Sequence, residues 1–131
     1  MTRKISPLPA GKYMNSKQLD WFRDELQHQL DECESSIEAL KELDDPEAPE
    51  GDEADIADYK IQIAQQDAAA QHLHQAKLEL IAAMGRIASG EFGYCKDTGD
   101  EIGLPRLKAK PTARLCIDAQ ERRERQGRFH T

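Results

Sequence analysis

Aromatic side chains are scarce in this 131-residue sequence: three Phe, three Tyr and one Trp, 5% of the chain. Charged residues make up 33%. So little bulky apolar material cannot fill a large compact core, whereas a long amphipathic hairpin needs only a narrow apolar seam. The length sets an expectation of one domain with at most a small appendage. Cysteine is also sparse, at three, an odd number. Cys33, Cys95 and Cys116 are therefore expected as reduced thiols and not as a disulfide framework. No run approaches the ~20 apolar residues of a membrane span. Arg3 and Lys4 have no apolar stretch behind them, so no signal peptide is expected. These absences point to a soluble, cytoplasmic protein.

Charge, by contrast, is abundant and unevenly placed. The net charge is −7. Residues 41–58 hold nine acidic side chains (Glu42, Asp44, Asp45, Glu47, Glu50, Asp52, Glu53, Asp55 and Asp58) against Lys41, a local net of −8. Residues 105–131 carry eight Lys or Arg against Asp118, Glu121 and Glu124, a local net of +5. Such asymmetry concerns solubility and encounter with oppositely charged macromolecules, not fold. Two readings of the acidic stretch stand side by side: a loop kept soluble by its charge, or a probe held on a rigid arm.

The arm follows from spacing. Residues 1–14 form an irregular lead-in punctuated by Pro7, Pro9 and Gly11. Asn15, with Gln18 three residues on, resembles a capping box. Leu19, Phe22, Leu26, Leu30, Cys33, Ile37 and Leu40 then fall at a mean spacing of 3.5, the coiled-coil period. This first helix is expected to stop near Leu43, before Pro46, Pro49 and Gly51. Asp52 is a natural N-cap for a second helix, with Glu53 and Asp55 in the first turn, where the dipole favours anions. One heptad row reads Ile56, Ile63, Ala70, Lys77 and Met84, the other Tyr59, Gln66, Leu73, Leu80 and Ile87. The helix is expected to run to about Ala88. His72 and His74 lack the i, i+4 spacing of a helical metal pair and read as surface residues. The two helices are of comparable expected length and pair most simply with each other. The expected organisation is a lead-in over 1–14, a coiled-coil hairpin over 15–88 with its tip near 44–57, and a small globular part over 89–131.

That last part invites comparison with a zinc ribbon. Cys95-Lys96-Asp97-Thr98 and Cys116-Ile117-Asp118-Ala119 stand 17 residues apart, a spacing common between the two halves of a four-cysteine site. The second member of each pair is Thr98 or Ala119, and neither is a normal zinc ligand. Zinc is therefore not expected, and packing by Phe92, Tyr94, Ile102, Leu104, Leu107, Leu115 and Ile117 has to hold the segment. Cys95 and Cys116 are open to three readings: buried or half-buried thiols, a redox-sensitive pair, or a nucleophile. A final short helix is expected over Ala113 to Gln126.

Taken together, Tyr13-Met14-Asn15 with Gln18-Leu19 and Phe22, the turn Asp52-x-x-Asp55-x-Ala57, Phe92-Gly93-Tyr94-Cys95, Glu101-Ile102-Gly103, Arg106-Leu107-x-Ala109, Pro111-Thr112-Ala113 and Leu115-Cys116-Ile117-Asp118 resemble the DksA family of bacterial transcription regulators. The resemblance covers about residues 12 to 126. It implies a mainly α fold, a globular base with a projecting coiled coil. It implies binding to RNA polymerase through the secondary channel, destabilisation of open complexes at ribosomal RNA promoters, and action with the alarmone ppGpp. By the same resemblance the tip residues are Asp52, Asp55 and Ala57. Arg106 and Lys110 match basic positions that face the polymerase or ppGpp. Glu79 and Gln120 stand where lysines are usual, which leaves ppGpp acting either through this chain or wholly within the polymerase. Two of the four zinc-site cysteines are replaced, as in the zinc-independent paralogue of that family.

The alternatives are a nucleic-acid-binding module using the basic tail, which the net charge opposes, and a dimerising coiled-coil adaptor. No acid, base and nucleophile set suggests an enzyme. The expected state is a monomer with no required cofactor and no sequence-specific DNA binding.

Overall fold

A helix with apolar residues at every 3.5 positions must bury one face, and in the computed structural model α1 (Ser16–Glu42) buries it against α2 (Glu53–Ser89). The structure describes residues 6–43 and 47–129. Arg3 and Lys4 at the start of the lead-in, and Asp44, Asp45 and Pro46 at the acidic turn, lie outside the described residues. Two shorter helices, α3 (Leu104–Ala109) and α4 (Ile117–Phe129), complete a mainly helical architecture. Among the described residues the strand-like contact is an isolated antiparallel bridge between Tyr94 and Glu101.

Local chemistry fixes the helix ends. Asn15 caps α1: its Oδ1 accepts from the Gln18 amide at 2.9 Å. The Gln18 side chain, fully buried, reaches back in turn. Its Oε1 accepts from the Met14 amide at 2.8 Å, and its Nε2 donates to the Pro9 carbonyl at 3.0 Å. One buried amide thus ties the lead-in to the first turn of α1, and no polar atom of it is left unmade. Trp21 adds a second tie, Nε1 to the Ser6 carbonyl at 2.8 Å. At the far end of α2, Gly90 adopts φ 80°, and the Glu91 and Phe92 amides both close on the Arg86 carbonyl. The left-handed residue ends the helix and turns the chain into the base.

The seam is the one that the heptads define. Phe22, Leu26, Cys33 and Ile37 are buried, with Leu19, Leu30 and Leu40 half-buried. Every member of the two α2 rows is at least half-buried, including the polar breaks Gln66 and Lys77. Lys77 reaches across to Glu34, Nζ to Oε1 at 3.7 Å, and the Cys33 thiol donates to the Leu73 carbonyl at 3.3 Å. These contacts set the register. The helices are nonetheless unequal, 27 against 37 residues, which corrects the expectation of comparable lengths. With residue 33 opposite 73 and equal rise on both sides, α1 ends near residue 64 of α2, roughly a dozen residues short of its start. The first turns of α2 therefore project about 15–18 Å beyond the end of α1.

The seam runs without a break into the base. Phe22 meets Phe92 at a ring separation of 5.3 Å, and Phe92, Cys95, Ile102, Leu107, Ala113, Leu115 and Ala119 continue the same buried cluster. Full burial of Phe22, Phe92, Leu26 and Leu107 contributes roughly 1.5–3 kcal/mol for each side chain. Tyr13 clamps the two parts together. Its hydroxyl donates to the Gly93 carbonyl at 2.6 Å and accepts from the Gly103 amide at 3.0 Å. Burial, helped by the nearby Glu101 and Tyr94, outweighs the Gly103 amide and raises its pKa, so the hydroxyl keeps its proton. Gly93 has no room for a side chain: a Cβ there would lie 2.8 Å from Met14 Cγ.

Two features of the base depart from expectation. α3 was not anticipated as a helix. α4 begins at Ile117 and not at Ala113, because residues 113–115 are held as loop. The Ala113 amide bonds to the Lys110 carbonyl, the Arg114 carbonyl accepts from Lys96 at 2.9 Å, and the Leu115 carbonyl accepts from Arg106 Nε at 2.9 Å.

Candidate functional site

The acidic tip is built by the start of α2. Asp52 is its N-cap, Oδ1 accepting from the Ala54 amide at 2.9 Å, and Gly51 turns into it with φ 102°. Asp55 sits one turn in, exposed, with no hydrogen bond or ion pair among the described residues. Ala57 is exposed beside it. The two aspartates are therefore not equivalent in structure. Asp52 has a structural task, while the Asp55 carboxylate is held outward by a helix and is free to contact something else. Both stand on the part of α2 that overshoots α1.

At the opposite end the four positions of a zinc-ribbon site are occupied by a thiol, a hydroxyl, a second thiol and a methyl group. Cys95 is buried and Cys116 half-buried. Thr98 serves both: its hydroxyl hydrogen-bonds to Cys95 and lies 3.9 Å from Cys116 Sγ, while accepting from the Asp100 amide at 3.2 Å. Ala119 is fully buried in the core. Burial pushes the Cys95 thiol up. It is outweighed by the Thr98 hydroxyl and by the backbone amides of Cys116, Thr98 and Asp97, which together bring the pKa down to about 6. Donors of this kind favour the thiolate form of the sulfur. The donor set does not fit tetrahedral zinc, which needs four ligands from thiolate, imidazole or carboxylate groups. Among the described residues no cluster of three or more such side chains is disposed to hold a metal ion. The amide ring around Cys95 had no signal in the sequence, since Cys116 joins it only after folding.

Two of the basic candidates are also in the base. Arg106 is half-buried, its Nε committed to the Leu115 carbonyl. Lys110, exposed, has no side-chain partner among the described residues. Arg86, bonded to Thr112 in the loop beside Lys110, stands 31 residues along α2 from Asp55, which sets the base roughly 45 Å from the tip. The structure thus brings together Cys95, Thr98 and Cys116, and separately Asp52, Asp55 and Ala57, but not the two sets. It also forms a feature that sequence spacing did not reveal. A cavity of about 560 Å³ beside Cys95 is lined by Arg86, Lys96 and Arg114.

A helical hairpin mounted on a small zinc-finger-type base, with an acidic tip at the far end, defines the class of this protein. The family of prokaryotic dksA/traR C4-type zinc fingers matches residues 90–125. The RNA polymerase-binding transcription factor DksA of Caulobacter vibrioides is 34% identical, over 95% of this chain and 88% of that protein. Its namesake in Escherichia coli is 30% identical over 90% and 81%. The solved structure of transcription factor DksA2 from Pseudomonas aeruginosa superimposes with a TM-score of 0.76 and 38% identity, covering 92% of this chain and 93% of that one. The chain belongs to the DksA family.

Proposed function

We propose that this protein is a transcription regulator that binds RNA polymerase and inserts its hairpin into the secondary channel, bringing Asp55 toward the active-site region. There it destabilises open complexes, ribosomal RNA promoters foremost, in concert with ppGpp and without zinc. The observation that carries this reading is Asp55: a carboxylate without a partner among the described residues, held at the end of a long arm, in a chain whose relatives are named RNA polymerase-binding factors. Asp52 supports it by capping the helix that presents Asp55, and Ala57 keeps the tip narrow. Zinc independence rests on the mixed Cys95, Thr98, Cys116 and Ala119 set, two members of which cannot ligate zinc. Lys110 is the side chain best placed for ppGpp or polymerase contact in the base, with Arg106 holding the adjoining loop. The protein acts in the cytoplasm as a monomer, contacts polymerase and not promoter sequence, and is not an enzyme.

The deciding experiment is transcription in vitro from a ribosomal RNA promoter with cognate polymerase, metal-stripped protein and the Asp55→Asn variant. Inhibition by the stripped protein is expected. Its loss in the variant, with helicity and polymerase binding kept, is expected too. Inhibition that returns only on adding zinc would overturn the metal-free reading. An active Asp55→Asn variant would overturn the role of the tip.

A further inference from the structure

Arg86 stands on the last turn of α2, outside both heptad rows, yet it is half-buried. Its Nη2 donates to the Thr112 carbonyl at 3.3 Å, which draws the end of α2 against the loop before α4. A backbone bond from the Lys96 amide to the Arg114 carbonyl, 2.9 Å, ties the segment after α2, which carries Lys96, to that loop, which carries Arg114. Three separate segments thus deliver Arg86, Lys96 and Arg114 to one cavity of about 560 Å³. Its lining contains one carboxylate, Glu91. The Cys95 sulfur, on the same side, is already held by Thr98 and three amides.

Three cations face Glu91 and the Cys95 thiolate, so the lining keeps a net positive charge. Burial lowers the pKa of Arg86, the nearby Arg114 lowers it further, and Glu91 offsets only part of this. The side chains of Lys96 and Arg114 form no hydrogen bond or ion pair among the described residues. A multivalent anion would relieve the repulsion and use the planar donor forks of two arginines. The volume is that of a small-molecule site and well above what a single phosphate fills. The Tyr94 ring, 40% exposed, supplies an apolar wall. A long nucleic acid is a poorer match: the site is concave, and the chain around it carries a net charge of −7.

We infer that this cavity is a binding site for an oligophosphate, a small molecule with two or more linked phosphate groups, held by Arg86, Lys96 and Arg114. The site is separate from Lys110 and needs no polymerase. It is tested by titrating the full chain alone with inorganic pyrophosphate, and in a second arm with ATP, at constant ionic strength and without divalent metal, followed by ¹H–¹⁵N NMR. Saturable shifts are expected at the Arg86 Nε–H and at the amides of Glu91, Tyr94, Lys96 and Arg114. Lys96→Gln and Arg114→Gln, both at exposed positions, should keep the native spectrum and weaken binding about tenfold each, the loss of one charge-assisted contact. Lys110→Gln should leave binding unchanged. Equal affinity for the two probes would assign the site to the phosphate chain. Tighter ATP binding that Tyr94→Leu abolishes would assign it to a nucleotide. Shifts reproduced by sulfate at the same ionic strength, shifts indifferent to both substitutions, or no saturable shift with either probe would overturn the inference.

Discussion

Donors around the Cys95 sulfur favour its thiolate form. Its thiol is buried, which alone would favour the protonated form, yet four donors bring its pKa from the ordinary value of 9.0 down to about 6. The sign of the linkage follows from that direction. A group whose folded pKa is depressed adds stability that is full above pH 9, declines as the pH falls, and is gone below pH 6. The wild-type protein is therefore expected to lose stability as the pH falls from 9 to 6. Denaturant melts at the two pH values measure it, with Cys95→Ser as the flat control. Thr98→Ala removes one donor and should move the thiolate absorbance transition at 240 nm upward while shrinking the pH slope. An unchanged transition would mean that the amides alone hold the sulfur. At the tip the same scale separates Asp52 from Asp55. The sequence places Asp52 at the N-cap and Asp55 in the first turn, and among the described residues Asp52 binds an amide while Asp55 does not.

Among the elements, those with long-range periodicity were legible and those shaped by tertiary contacts were not. α1 and α2 follow from heptads, and every residue of the α2 rows is at least half-buried. α3 has six residues and opens on Leu104-Pro105 after a glycine with φ 102°, too short to carry a period. α4 begins four residues later than expected, because Ala113 and Leu115 are held in the preceding loop. Their backbone groups are instead claimed by Lys110 and Arg106. Residues of the candidate site divide the same way. Cys95 and Cys116 were visible from spacing, but the Arg86 cavity was not, since three distant segments build it. The zinc-ribbon frame persists around Thr98 and Ala119, which leads to a gain-of-function expectation. The double variant Thr98→Cys, Ala119→Cys should bind one zinc per chain through four thiolates. Cobalt(II) substitution, giving the absorption of a tetrahedral thiolate site, checks this. No metal uptake would mean that the two knuckles no longer converge.

Across the whole molecule, a single buried cluster runs from the seam of the hairpin through Phe22 and Phe92 to Ala119. Tyr13 bridges the lead-in to Gly93 and Gly103, and Gln18 locks the lead-in to α1. Packing of this kind leaves no hinge between arm and base, so bending the arm would break the core. The consequence is metrological. A stiff arm anchored at one end is a ruler, and the separation of Asp55 from the base is its graduation. Inserting one heptad into each helix, in register, would leave every contact of the base intact and move the tip outward by about 10.5 Å. Such a lengthened protein is expected to fold with higher helicity and an equally cooperative melt, and to bind polymerase with its base, yet to lose transcriptional inhibition. Retained inhibition would mean that the tip's effect does not depend on distance. For a protein gauged in this way, insertions and deletions should be tolerated only where they leave the ruler's length unchanged, whatever their effect on stability.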